Sequence, residues 1–157
     1  LPSTIDARYA LEAGEAVRRR QDKRRGEATV MKIKLSSIFV DDQDKALKFY
    51  TEVLGFVKKM EIPMGAVKWL TVVSPDEPEG TELVLEPSSN PAAQEYKKAL
   101  FGQGIPCTAF AVDNIHQEHT RLEALGVVFR SKPTQMGPVT VAIFDDTCGN
   151  LIQIYQV

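Results

Sequence analysis

An internal repeat limits the fold of this chain more than any other feature. Asp42 is followed thirteen residues later by Gly55, and Asp113 thirteen residues later by Gly126, with Leu54 and Leu125 just before the two glycines. The stretches between have helical spacing. Leu47, Tyr50, Val53 and Leu54 share one side of the first, and Ile115, Leu122 and Leu125 one side of the second. An Asp at the start accepts from the free amides of a first turn, and a Gly at the end takes the left-handed conformation that closes the last. An apolar run precedes each helix: residues 33–40, ending in Ile38-Phe39-Val40, and residues 106–112, ending in Phe110-Ala111-Val112. Three strands are expected after each helix, near 56–62, 67–74 and 81–86, then near 127–131, 138–145 and 150–156. The last pair matches again, Gly80-Thr81-Glu82-Leu83-Val84-Leu85 against Gly149-Asn150-Leu151-Ile152-Gln153-Ile154. The repeated unit is therefore βαβββ.

Two such units define an α+β domain over residues 31–157, with modules at 31–87 and 105–157. The linker, 88–104, opens on the turn residues Pro87-Ser88-Ser89-Asn90-Pro91 and holds a short helix from about Ala92 to Phe101, ended by Gly102-Gln103-Gly104. Residues 1–30 have a different character and read as an N-terminal helical extension. Ser3 or Thr4 can cap a helix that runs to about Arg25. Ile5, Tyr9, Ala13 and Val17 give it a thin apolar stripe, and Arg18, Arg19, Arg20, Lys23, Arg24 and Arg25 sit at the end where cations suit the helix dipole. That basic run reads as a solvated helix end. Met31-Lys32-Ile33-Lys34 reads like a natural start.

One helix covers one face of each four-stranded sheet. The other faces are expected to curve around a concave cavity, and strand alternation says which side chains line it. Glu82, Val84 and Glu86 belong to the cavity side of one strand, Cys107, Ala109 and Ala111 to another, and Gln153 and Tyr155 to a third. Leu83, Leu85, Phe110, Ile152 and Ile154 belong under the helices. A concave site with a few placed polar groups is the default place for a ligand. Glu82 and Glu86 can act there as an acid–base pair, attract a cationic or amine-bearing ligand, or stand in water at the rim. Trp69, Tyr155 and Phe144 can stack on a planar ligand or serve as core. The expected ligand-binding set is Glu82, Glu86, Cys107, Gln153, Tyr155 and Trp69.

The chain resembles the vicinal oxygen chelate superfamily, also called the glyoxalase/bleomycin-resistance/dioxygenase family. The resemblance covers residues 33–157. It rests on Asp42-Gln43-Asp44-Lys45-Ala46-Leu47-Lys48-Phe49-Tyr50, running into Val53-Leu54-Gly55-Phe56, and on Phe144-Asp145-Asp146-Thr147-Cys148-Gly149-Asn150-Leu151-Ile152-Gln153, in which Asp146 replaces the family's Pro. It implies a cupped mixed sheet of two βαβββ modules and a homodimer. Metal-dependent members hold a divalent ion with His or Glu at four strand positions, which fall here on Leu35, Val84, Cys107 and Gln153. Leu35 and Val84 cannot ligate, Cys107 can only as a thiolate, and Gln153 only weakly. No metal or other cofactor is therefore expected. The resemblance implies a metal-free binder of a small organic molecule. The alternatives are a metal-dependent lyase, isomerase or extradiol-type dioxygenase, or an interaction protein whose arm is the docking element.

Other chemistry is sparse. His116 and His119, the two histidines, have a spacing that can grip a metal, but on a helix with no third ligand placed beside it. Cys107 as nucleophile would need a base and a positive setting, and its expected neighbours are acidic. The two cysteines, Cys107 and Cys148, read as reduced thiols of a cytoplasmic protein. A net charge of −2 over 157 residues favours neither nucleic acid nor an anionic membrane. No apolar run reaches bilayer length and no secretory signal is evident.

Overall fold

A computed structural model of the chain describes residues 30–157. The helical arm expected over residues 1–30, with its stripe and basic run, lies outside the described residues save for Val30. Residues Ile33–Val157 form one compact unit. Its elements run β1 (Leu35–Val40), α1 (Gln43–Lys48), a π-helical turn (Phe49–Val53), β2 (Val57–Met64), β3 (Val67–Val73), β4 (Glu82–Pro87), α2 (Pro91–Gly102), β5 (Thr108–Ala111), α3 (Ile115–Ala124), β6 (Phe129–Met136), β7 (Val139–Asp145) and β8 (Leu151–Gln156).

The repeat is realised as two four-stranded mixed sheets of the same order, β1-β4-β3-β2 and β5-β8-β7-β6. In each, the strand before the helix pairs parallel with the last strand of its module, and the other neighbours are antiparallel. Burial follows the expected alternation. Ile38, Val40, Leu70, Val72 and Leu85 of the first sheet are buried in the shared core, as are Ala142, Phe144, Ile152 and Ile154 of the second. Aromatic rings carry that core across the module boundary. Phe49 lies 6.3 Å from Phe144 and Phe56 lies 5.0 Å from Phe110, centroid to centroid. Such pairs add about 0.5–1.5 kcal/mol each beyond the area they bury.

The helix caps correct the repeat as read from sequence. Asp42 does cap α1, accepting from the amides of Asp44 and Lys45. The second cap is Asn114, not Asp113: its side chain accepts from the Gln117 amide. Aligned on their true caps, the first helical stretch holds one residue more than the second before its closing glycine. The π-helical turn Phe49–Val53 takes up that residue, since a π turn is how a helix absorbs a single insertion. Gly55 and Gly126 both close with positive φ, 84° and 86°. The main strand revision is β6, which runs to Met136 rather than ending at 131.

Two polar nodes join the modules. Asp146, fully buried in the turn before β8, accepts from the Tyr50 hydroxyl of the first module at 3.0 Å. It also accepts from the Cys148 amide, the Asn150 amide and the Asn150 side chain, at 2.8, 2.9 and 2.7 Å. Lys97 of α2 is also buried, and its ammonium donates to the Asp41 carboxylate and to the Cys148 carbonyl at 2.7 Å, with the Ser88 hydroxyl 3.5 Å away. The linker helix is thereby tied to the end of β1 and to the β7–β8 turn.

Candidate functional site

Pairing registers lay out the face of each sheet that its helix does not cover. On the first sheet Leu35 stands beside Glu82, Ser37 beside Val84, and Phe39 beside Glu86, from β1 to β4. Val84 then pairs with Thr71 of β3, and Thr71 and Trp69 pair with Met60 and Ile62 of β2. The edge strands of this face are apolar and open, with Leu35, Val57, Met60, Ile62 and Met64 38–59% exposed, whereas Thr71 and Val84 at its centre are buried. On the second sheet, Ala109 and Ala111 stand beside Gln153 and Tyr155, which pair onward with Ile143 and Val141.

The two glutamates of β4 have different surroundings. Glu82 accepts a hydrogen bond from the Thr71 hydroxyl at 2.8 Å and lies 3.8 Å from the Lys59 ammonium. Lys59 sits at the irregularity where the β2–β3 register shifts, which brings it to this edge. Glu86 is half-buried and makes no hydrogen bond or ion pair among the described residues. Four residues of extended chain separate the two by about 13 Å. Carboxylates that act on one glycosidic bond lie at most about 9.5 Å apart, so this spacing does not suit an acid–base pair acting on a single bond.

The β3–β4 seam is unusual. Its ladder holds only two pairs, Thr71 with Val84 and Val72 with Leu83, where β7–β8 holds six. Beyond that point the Gln43 side chain reaches in from α1. Its amide nitrogen donates to the Lys68 and Leu85 carbonyls, at 2.7 and 2.8 Å, and its carbonyl accepts from the Lys68 amide at 2.9 Å. A side-chain amide thus stands in for ladder bonds where the strands part.

Cys107 sits apart from the glutamates. It lines a cavity of about 230 Å³ beneath the linker helix, with Ser37 and Phe39 of β1, Tyr96, Leu100 and Phe101 of α2, and Leu151 of β8 among the walls. Burial, with the nearby Asp146 carboxylate, pushes the Cys107 thiol up to about 11. Burial and Asp146 likewise push the Cys148 thiol to about 11. Both cysteines are free thiols, and at neutral pH they are protonated and poor nucleophiles. The predicted residues thus fall into separate places: Trp69, Glu82 and Glu86 on the first sheet, Gln153 and Tyr155 on the second, and Cys107 under α2. Phe144 is core, packed 5.5 Å from Phe129.

Metal chemistry fits this donor set poorly. Of the four family positions, Leu35 and Val84 present hydrocarbon, Cys107 a neutral thiol and Gln153 an amide. Among the described residues no three His, Cys, Asp or Glu side chains converge as a metal site. The helical histidines do not form one. His116 is exposed, whereas His119 is buried against Phe129 at 4.2 Å between centroids, its Nδ1 3.3 Å from Glu123. His119 shares the apolar stripe of Ile115 and Leu122, a spacing visible in sequence that marks it as a packing residue. Gln43 and the parted seam had no sequence signal beyond the helix start.

Comparison with known proteins agrees with this architecture. The model of a family described as the Glyoxalase/Bleomycin resistance protein/Dioxygenase superfamily matches residues 31–154. The uncharacterized protein YurT of Bacillus subtilis (strain 168) is 60% identical over 126 residues, 80% of this chain and 99% of the relative. Among solved structures, UcmS2 superposes with a TM-score of 0.70 at 31% identity, covering 81% of this chain and 98% of that one. TnmS3, an antibiotic binding protein from Streptomyces sp. CB03234, superposes with a TM-score of 0.63 at 26% identity, covering 83% and 98%.

Proposed function

The chain belongs to the glyoxalase/bleomycin resistance protein/dioxygenase superfamily, and from that premise we propose that it binds a small organic molecule without a metal. The observation that carries this reading is the donor set at the four family positions. Lewis-acid catalysis needs at least three ligands that hold an ion firmly, and Leu35, Val84, Cys107 and Gln153 do not supply them. The open sheet faces offer instead a broad apolar surface with a few polar groups, which suits an organic ligand. The contact positions assigned to it are Trp69, Glu82 and Glu86 on the first sheet, with Gln153 and Tyr155 on the second and Cys107 in the cavity under α2 as separate positions. The antibiotic-binding description of TnmS3 is in keeping with this class of ligand. Half-exposed Leu35, Val57 and Met64 make a surface of the kind that a second copy covers, so the working form is a homodimer, and the free thiols are in keeping with a cytoplasmic setting.

Protein purified without an affinity metal tests the reading by elemental analysis and native mass spectrometry. The expected result is no stoichiometric transition metal, a species of twice the chain mass, and an organic adduct released on denaturation. One equivalent of tightly held nickel, zinc, iron or manganese overturns it.

A further inference from the structure

The two sheets share a topology, so their open faces can be compared row by row, and one row stands out. On the first sheet it runs Phe39, Glu86, Trp69, Ile62. Phe39 and Glu86 are register partners, as are Trp69 and Ile62, and continuing the Thr71–Val84 register sets Glu86 opposite Trp69. The matching row of the second sheet runs Ala111, Tyr155, Val141, Thr134. A carboxylate flanked by two aromatic rings on the first sheet therefore corresponds to an uncharged row on the second.

Three observations bear on what this row recognises. Glu86 makes no ion pair among the described residues, whereas Glu82 on the same face has Lys59 and Thr71. The strands part between Glu86 and Trp69, and Gln43 plugs the opening from the helix side. On the other side, the register leaves Trp69 and Glu86 as neighbours across the parting, both partly exposed. Ile62 extends the row towards the open edge, and Phe39 extends it towards the cavity beneath α2. A half-buried carboxylate with no ion pair among the described residues, set beside two aromatic residues in the register, complements a cation carried on an apolar body.

We infer that this row is the specificity element of the site, and that the ligand it selects is an organic cation: a protonated amine on an apolar, aromatic frame. The inference rests on the ligand-binding reading above. The ammonium sits against Glu86, and its apolar body lies between Trp69 and Phe39. Glu82, already compensated, contributes little to the choice of charge.

Trp69 is the sole tryptophan of the chain, so its emission reports on the row directly. The full chain is titrated with three probes of one frame: 4-phenylbutylamine, 4-phenylbutanol and 4-phenylbutyrate. The amine is expected to shift or quench Trp69 emission with at least tenfold tighter binding than the alcohol, and the butyrate to bind more weakly still. Glu86→Gln, which keeps shape and removes charge, is expected to abolish the preference of amine over alcohol, while Glu52→Gln, at an exposed residue of the π-helical turn outside the site, keeps it. Rising salt weakens the amine alone, which checks the charge effect without any substitution. Equal binding of amine and alcohol, with no effect of Glu86→Gln, overturns the cation inference and leaves the binding reading standing. No response to any of the three, by emission or calorimetry, overturns both.

Discussion

Replacing Asp146 by Asn puts the inter-module node to a quantitative test, because the shape is kept and only the hydrogen-bonding changes. Four donors converge on the carboxylate: the Tyr50 hydroxyl, the Cys148 and Asn150 amides, and the Asn150 side chain. The two amides share Oδ1, which a carboxamide oxygen can replace. The other oxygen becomes an NH2 group facing two donors. The Tyr50 hydroxyl can turn and accept, but the Asn150 side chain loses one of its two acceptors, keeping only the Phe39 carbonyl. One orphaned buried donor costs about 1–3 kcal/mol. The pH dependence separates this account from a simpler one. Burial pushes Asp146 up, and although its four donors pull down, burial prevails. An acid whose folded pKa stands above its unfolded value stabilises the fold when protonated. That contribution is complete below about pH 4 and is lost as pH rises through the raised folded value. Asn carries no such term. The penalty of Asp146→Asn is therefore largest near pH 4 and shrinks towards pH 8. With a urea slope of about 2 kcal/mol/M, it appears as a fall in midpoint of about 0.5–1.5 M in acid, read at one fixed protein concentration. A penalty that grows with pH refutes the reasoning, since it means that the donors outweigh burial and hold the carboxylate ionised.

Other perturbations check neighbouring parts of the argument. Gly149 has φ of 90°, and an added Cβ would lie 3.0 Å from Asp41 Oδ2 and from Lys97 Cε and Nζ, whereas Gly126 has φ of 86° and open space around it. Gly149→Ala is thus expected to combine backbone strain with damage to the Lys97 node, about 2–4 kcal/mol in denaturant unfolding, against about 1–2 for Gly126→Ala. Cys107 and Cys148, both held near pKa 11, should alkylate slowly with iodoacetamide at pH 7 in the folded chain, and the rate should climb up to about pH 11. Mass spectrometry would show rapid modification at pH 7 if either thiol were activated. Gln43→Ala removes three hydrogen bonds at the parted seam and is expected to raise amide exchange at Lys68 before it affects Val72, which the ladder holds.

Much of the fold was legible because its signals are local. Asp42, Gly55, Gly126 and the alternation of Leu83, Leu85, Ile152 and Ile154 each follow from backbone requirements that one residue or a period of two can express. What was misread failed for identifiable reasons. Asp113 and Asn114 are adjacent, and either residue type caps a helix. Matching Asp to Asp kept the two spacings equal and so hid the π turn, which is the structural trace of the unequal count. β6 was cut short because Arg130, Lys132 and Pro133 do not read as strand. An edge strand tolerates Pro and favours such charges, and β6 lies at the edge of its sheet. Lys97 and Asp146 could not be anticipated as nodes, since their partners lie as far as 96 residues away in sequence.

The same comparison between modules bears on how a repeat acquires a site. Both copies keep the features that folding demands: caps, closing glycines, buried rows and strand order. They differ in the π turn of the first helix and in the seam between the third and last strands of each module. The β7–β8 seam is laddered throughout, while the β3–β4 seam holds two pairs and a side-chain plug. Parting two strands forfeits ladder bonds, each worth about 0.5–1.5 kcal/mol net, and Gln43 returns three of them from outside the sheet. A structure that loses ladder bonds on one copy and repairs them from the helix side gains nothing for folding that the intact seam of the other copy lacks. Its consequence falls at the parted strands, beside Trp69 and Glu86 on one face and Gln43 and Lys68 on the other. On the proposed binding reading, the asymmetry assigns ligand selection to module one, while module two retains the plain sheet.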